Sequence, residues 1–279
     1  MPNKPDDTTI RAGDGEGIYL FCFARPHVPE TLNVSGLDDR QTVSQWTFQG
    51  ITAVFSKASL EEFCDSEAES RMKDLSWIGP RACRHEEVVQ QVMPYSPVLP
   101  ARFGTIFSSL DSLENLLKIH TKTISQFLDH VTEKEEWSVK GLVDSEKAKE
   151  KLYSTTMAAE AERLASLSPG ARYFQEKRIH SDIGNKLNLG CKKKLQEIAK
   201  NLDQYASDFC TRKMLSRDAT GMDMDMIANW AYLVPLNFTE KFCAGVDQAN
   251  EIYGQDGLTL QLSGPWPPYS FCPSLEIVD

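Results

Sequence analysis

The chain has 279 residues, 41% of them hydrophobic and 25% charged, with a formal net charge of −10. That is the composition of a soluble globular protein long enough for about two domains. The acidic balance excludes nucleic acid as the main partner, since phosphate binding needs a dominant basic surface. With no apolar run near the roughly twenty residues of a membrane helix, no membrane span is expected.

Residues 1–16 read as a flexible leader rich in Pro, Asp and Gly. The opening lacks a basic segment followed by an apolar one, so no signal peptide is expected and the location is read as cytoplasmic. The seven cysteines (Cys22, Cys64, Cys83, Cys191, Cys210, Cys243 and Cys272) are widely spaced and include no Cys-x-x-Cys pair. They read as small hydrophobes in a reducing compartment rather than as a zinc or redox centre. The glycines at Gly13, Gly15 and Gly17 precede a strand, whereas a phosphate loop follows a strand and opens a helix.

Ile18 to Ala24 is a short apolar run and predicts a buried strand. Trp46–Phe48 and Ile51–Phe55 flank Gly50 and predict a hairpin or a bulged strand. Ser59-Leu60-Glu61-Glu62 has the spacing of a capping box. From Met72 to Met93, Leu75, Ile78, Ala82, Val89 and Val92 fall on one helical face, with Pro80 predicting a later start or a kink. His85 shares that stripe. It reads either as a general base or as a core histidine hydrogen-bonded across the domain, and no nucleophile or carboxylate is placed beside it by spacing. Val98 to Phe107 then predicts a strand, irregular at Pro100 and Gly104. Within it, Arg102 reads as a cation for an anionic group or as an internal ion-pair or stacking residue.

Asp111 and Glu114 predict the cap of a helix whose stripe is Leu113, Leu116, Leu117, Ile124, Phe127, Leu128 and Val131. Glu136 to Val143 alternates as a strand. This order of strands and helices predicts an α+β layer architecture. Asp144 and Ser145 cap a helix to about Leu167, and Pro169-Gly170 separates it from a longer one over 172–215. The two read as a helical hairpin. Lys192, Lys193 and Lys194, with Lys186, Lys200, Arg212 and Lys213, make the second helix locally basic: a solvated face or a docking surface for an acidic partner. Met222–Met226 resembles the start of a calcium loop but lacks its later oxygen ligands, so it reads as a lead-in turn.

Ile227–Pro235 and Gly257–Ser263 predict strands around a helix capped by Asn237 and Glu240. The segment from Gly264 through Trp266, Pro267, Pro268 and Tyr269 to Phe271 predicts a proline-stiffened strap, packed across the sheet or presenting aromatics to a partner. Nucleophile elbows, metal-histidine pairs, Walker loops and cofactor fingerprints are all missing from the sequence, and Cys83 and His85, two positions apart on a helix, point in different directions.

Five blocks in order, RxxxHEEVVQQV from Arg81, VLPARFGTIF from Val98, EWSVKG from Glu136, NWAYLVP from Asn229 and SGPWPPYSF from Ser263, resemble the gas vesicle protein L/F family. The likeness spans about residues 17–272. Ala101 departs from it, being smaller than the apolar residue expected there. The resemblance implies two α+β domains, the C-terminal one ferredoxin-like, with the long helical hairpin between them. The expected boundaries are 17–144, 145–215 and 216–279. It also implies a non-enzymatic accessory or minor structural protein of the gas vesicle, a buoyancy organelle, without cofactor or catalytic residues. Its implied partners are the small hydrophobic shell protein and other accessory proteins. The candidate contact residues are then Lys192, Lys193 and Lys194 on the basic helix and Trp266, Pro267, Pro268 and Tyr269 on the strap. The competing readings are a ligand-sensing module, since ferredoxin-like domains often bind ligands in sheet clefts, and an enzyme using His85.

Overall fold

The computed structural model describes residues 15–29, 31–38 and 41–276. The expected leader, with Gly13, lies outside the described residues up to residue 14. The chain forms two compact units, Met1–Lys134 with Trp266–Asp279, and Glu135–Pro265.

The first unit is built on β1 (Glu16–Ala24), in which every residue after the first is buried. β1 runs antiparallel to β3 (Ile51–Ser59), β4 (Val98–Pro100) and β5 (Ile106–Phe107), and β2 (Ser44–Phe48) extends the sheet beyond β3, giving the order β2-β3-β1-β4. Between β2 and β3, Gln49 (φ +46°) and Gly50 (φ +78°) are both left-handed. A two-residue loop of that kind matches the twist of a hairpin, so the hairpin and not the bulged strand is formed.

The bulge lies instead in β1, between Leu20 and Cys22. It explains how Tyr19, Phe21, Cys22 and Ala24 all enter one core cluster, because one extra residue reverses the alternation of faces midway along the strand. The expected strand over 98–107 is interrupted opposite this bulge. Ala101–Thr105 loops out, with Gly104 at φ +85° and the Thr105 amide bonded to the Arg102 carbonyl at 3.1 Å. Ala101 N–H to Phe21 O (2.8 Å) and Leu20 N–H to Thr105 O (3.0 Å) tie both ends of the loop to β1.

Three helices, α1 (Leu60–Cys64), α2 (Ala68–Arg71) and α3 (Leu75–Val92), follow β3. Ser59 precedes α1 without making a side-chain cap. Asp74 caps α3 by accepting from the Ser76 amide, and the helix continues through Pro80. Leu75, expected on the inner face, is 82% exposed; His85, Val88, Val89 and Val92 are the residues that α3 buries. The helix α4 (Leu110–Val131) buries the whole expected stripe against the sheet. Its cap is Ser109, which accepts from Ser112 N, rather than Asp111. Ser109 precedes the first apolar residue in extended geometry, the position from which a hydroxyl reaches the free amides.

The second unit begins with β6 (Lys134–Val143), α5 (Ser145–Ala159), α6 (Ala161–Ala165) and the long α7 (Pro169–Asp203). Then come β7 (Asp208–Thr211), α8 (Arg217–Thr220), β8 (Asp225–Pro235), α9 (Thr239–Tyr253) and β9 (Leu258–Trp266). The strand order β7-β8-β6-β9, in a β-α-β-β-α-β sequence, is the ferredoxin-like arrangement. Val139, Trp230, Tyr232, Val234, Leu258 and Leu260 of the sheet pack with Ile198, Leu202, Phe242 and Val246 of α7 and α9. No helix among the described residues is long and apolar enough to cross a membrane.

The units are drawn differently from the expected boundaries. β6, expected in the N-terminal segment, lies between β8 and β9; the helical hairpin is the crossover that follows it; and the terminal strap joins the first unit. The long helix ends at Asp203, twelve residues before the expected end. Ser207 N–H instead bonds Leu233 O at 2.8 Å and opens β7, so Phe209 stacks on Tyr232 at 4.9 Å. Arg212, expected on the helix, donates to Ser138 Oγ and to the Trp230 carbonyl. The helix α9 starts at Thr239 after a 3₁₀ turn over Leu236–Phe238, without a side-chain cap from Asn237.

Candidate partner-binding surfaces

His85 is 3% exposed, and both ring nitrogens are occupied. Nε2 lies 3.1 Å from the Ala101 carbonyl, which can only accept, so Nε2 carries the proton. Nδ1 then accepts from Tyr19 Oη at 2.9 Å, and that hydroxyl accepts from the Gly104 amide at 3.2 Å. Burial pushes the imidazole down to about 4, partly opposed by the Ala101 carbonyl, and pushes the Tyr19 phenol up. The ring is therefore neutral and ties α3 to β1 and to the 101–105 loop, as the core-histidine reading expects. Arg102, in contrast, is exposed at the tip of that loop.

The strap residues are divided in their roles. Trp266 keeps 38% of its surface exposed, whereas Pro267 and Pro268 are buried. Half-buried Tyr269 donates from its hydroxyl to Glu86 Oε2 of α3 at 3.1 Å. Burial raises Glu86, and burial together with the Glu86 carboxylate raises Tyr269. Farther along, Cys272 Sγ is 3.8 Å from the Pro100 carbonyl of β4, and His120 Nε2 of α4 donates to the Glu276 carbonyl at 2.9 Å. The strap thus passes from α3 across β4, the strand at the end of its sheet, to α4. A strand at that position exposes unpaired backbone groups to other chains, and the strap covers it. Of the four sequence-nominated strap residues, Trp266 is the one with an exposed surface.

The lysine run on α7 is also divided. Lys194 bonds Asp256 Oδ2 at 2.6 Å and lies over the Tyr253 ring, 5.7 Å from its centre. Lys192 and Lys193 are exposed and pair with no carboxylate among the described residues. Beside Lys192 opens a cleft of about 510 Å³, lined by Leu187, Cys191 and Leu195 of α7 and by Val143, Ile227 and Trp230 of the sheet. At one end Asp225 accepts two bonds from Arg217 (2.7 and 2.8 Å) and one from Ser145 (2.6 Å), which hold its carboxyl down at about 2. This aspartate of the Met222–Met226 segment thus joins β8 to the start of α5. Sequence reasoning missed the cleft, because Leu187, Cys191 and Leu195 continue the stripe of the buried residues. They are, however, only half-buried.

The sequence model of the family described as "Gas vesicle synthesis protein GvpL/GvpF" matches residues 17–273. The chain belongs to this family. Among GvpL/GvpF relatives it is 24% identical to gas vesicle protein L2 of Halobacterium salinarum, an alignment covering 97% of this chain and 96% of that protein. It is 23% identical to gas vesicle protein F of Dolichospermum flosaquae, over 91% and 96%. The crystal structure of GvpF from Anabaena sp. PCC7120 superposes with a TM-score of 0.69 at 21% identity, covering 93% of this chain and 99% of that one. GvpF from Microcystis aeruginosa gives 0.66 at 20%, over 92% and 99%. The resemblance carried by the five sequence blocks and the α+β fold expected from it are both met.

Proposed function

We propose that this GvpL/GvpF member is a non-enzymatic assembly factor. In this reading it binds the small hydrophobic shell protein and other accessory proteins in the cytoplasm while the vesicle is being built. The observation that carries the reading is the family match across residues 17–273. It is supported by a histidine whose two ring nitrogens are both held within the core, and by exposed cationic and aromatic side chains, Lys192, Lys193 and Trp266. A shell subunit that must polymerise carries apolar or strand-edge surface, and a partner that covers this surface until the subunit is added prevents premature aggregation.

The test is co-purification. Affinity-tagged full-length chain, co-expressed with the shell protein, retains it, and deletion of the gene abolishes vesicles. Restoring the gene with Trp266→Ala or with Lys192→Glu and Lys193→Glu identifies which surface the interaction uses. Normal vesicles in the deletion strain, or no capture by the unaltered protein, refutes the role.

A further inference from the structure

The longest helix of the second unit buries its apolar stripe fully at both ends and only in part in the middle. Ile179, Ile183, Ile198 and Leu202 are buried, whereas Leu187, Cys191 and Leu195 face the 510 Å³ cleft. At 1.5 Å per residue, the stretch from Leu187 to Ala199 is about 18 Å long, or roughly three helical turns. The far wall comes from β6 and β8. Both are interior strands in the order β7-β8-β6-β9, so no free strand edge lines the cleft. Strand addition is therefore ruled out as the mode of occupancy, and a helix lying in a groove is the remaining peptide mode that matches an apolar trough of this length.

The charge around the trough chooses the occupant. At 100° per residue, Asn188, Lys192 and Gln196 run along the rim, and Lys193, Lys200 and Lys186 continue around the outer face beside Leu189, which is 69% exposed. None of these four lysines pairs with a carboxylate among the described residues, while the neighbouring Lys194 is held by Asp256. Asp225, the one carboxylate in the lining, is neutralised by Arg217. A chain of net charge −10 thus presents one available cation, Lys192, on the rim of an apolar trough, which favours an apolar segment flanked by acids on that side.

We propose that this cleft is the docking groove for a short amphipathic helix of a partner protein, its apolar face against Leu187, Cys191 and Leu195 and a carboxylate facing Lys192. That the partner is a gas vesicle component rests on the assembly-factor reading; the groove and its preference do not.

The test uses the full chain and two fluorescein-labelled helical peptides of about 14 residues, identical in a leucine face but flanked by Glu in one and Lys in the other. Fluorescence anisotropy is expected to show the Glu-flanked peptide binding about tenfold tighter. Lys192→Glu reverses that order, and Cys191→Phe, which fills the trough from a residue outside the core cluster, weakens both peptides without lowering the melting temperature. Equal binding of the two peptides, or variants that bind like the parent, overturns the proposal. So does binding of dodecanoate with neither peptide, which identifies a small-amphiphile pocket. If the peptide results hold while co-purification with the shell protein fails, the assembly reading alone falls. If co-purification succeeds and the peptides do not discriminate, the groove alone is wrong.

Discussion

The buried histidine makes stability depend on pH in a way that can be worked out from its surroundings. His85 has an ordinary value of 6.5 and is pushed to about 4 in the fold. The unfolded chain therefore binds the extra proton across the window between those values, and stability contributed by the neutral ring is lost as pH falls. The shift corresponds to a full loss of about 3 kcal/mol below both values, and about 2 kcal/mol of it between pH 7 and pH 5. Glu86, next in sequence, acts in the opposite direction. Its folded value is raised, so its burial penalty is relieved as pH falls, and the whole-protein slope mixes the two. The comparison with His85→Gln isolates the histidine, since glutamine stays uncharged and retains a donor and an acceptor. Urea denaturation of both proteins at pH 7 and pH 5 is expected to show the parent losing about 2 kcal/mol more than the variant. Equal losses would refute the buried, neutral histidine. Nitrogen-15 NMR provides a second readout, in which Nε2 carries the proton and Nδ1 does not.

Tyr269→Phe removes the donor to half-buried Glu86, and denaturation is expected to show a cost of about 1–3 kcal/mol. Gly104→Ala forces a residue with a side chain to φ +85° and brings Cβ within 2.6 Å of the flexible end of Met72, so the loss in stability is about 1–2 kcal/mol, mostly backbone strain. Lys194→Ala breaks a partly exposed pair with Asp256 and lowers stability by no more than about 1 kcal/mol. Lys192→Ala leaves stability unchanged in the same denaturation series. Hydrogen exchange over 204–215 is expected to show the alternating protection of a strand paired on one side, and continuous helical protection there would contradict the end of α7 at Asp203.

What could be read from the sequence was local in origin. The stripe of α4 repeats at three and four residues, and every member expected to be buried is buried. The apolar run of β1 and the glycine between β2 and β3 likewise carry their structure within a few neighbouring residues. The lysine run was visible too, as was the familiar order of five blocks. Tertiary structure decided what depends on distant partners. His85 meets Tyr19 across 66 positions and Tyr269 meets Glu86 across 183, separations that no periodicity encodes. The helical pattern continues past Asp203, but β8 offers a strand pairing that takes over at Ser207. The pattern of β6 marks a strand without saying which sheet receives it. The α7 stripe reads the same whether its middle is packed or open, since the sequence of a helix sets which face is apolar while the surrounding elements set what covers that face. For that reason Lys192, Lys193 and Lys194 were legible as a basic run. Only the fold separates Lys194, held by Asp256, from Lys192 and Lys193, which pair with no carboxylate among the described residues, and places Lys192 at the open apolar cleft.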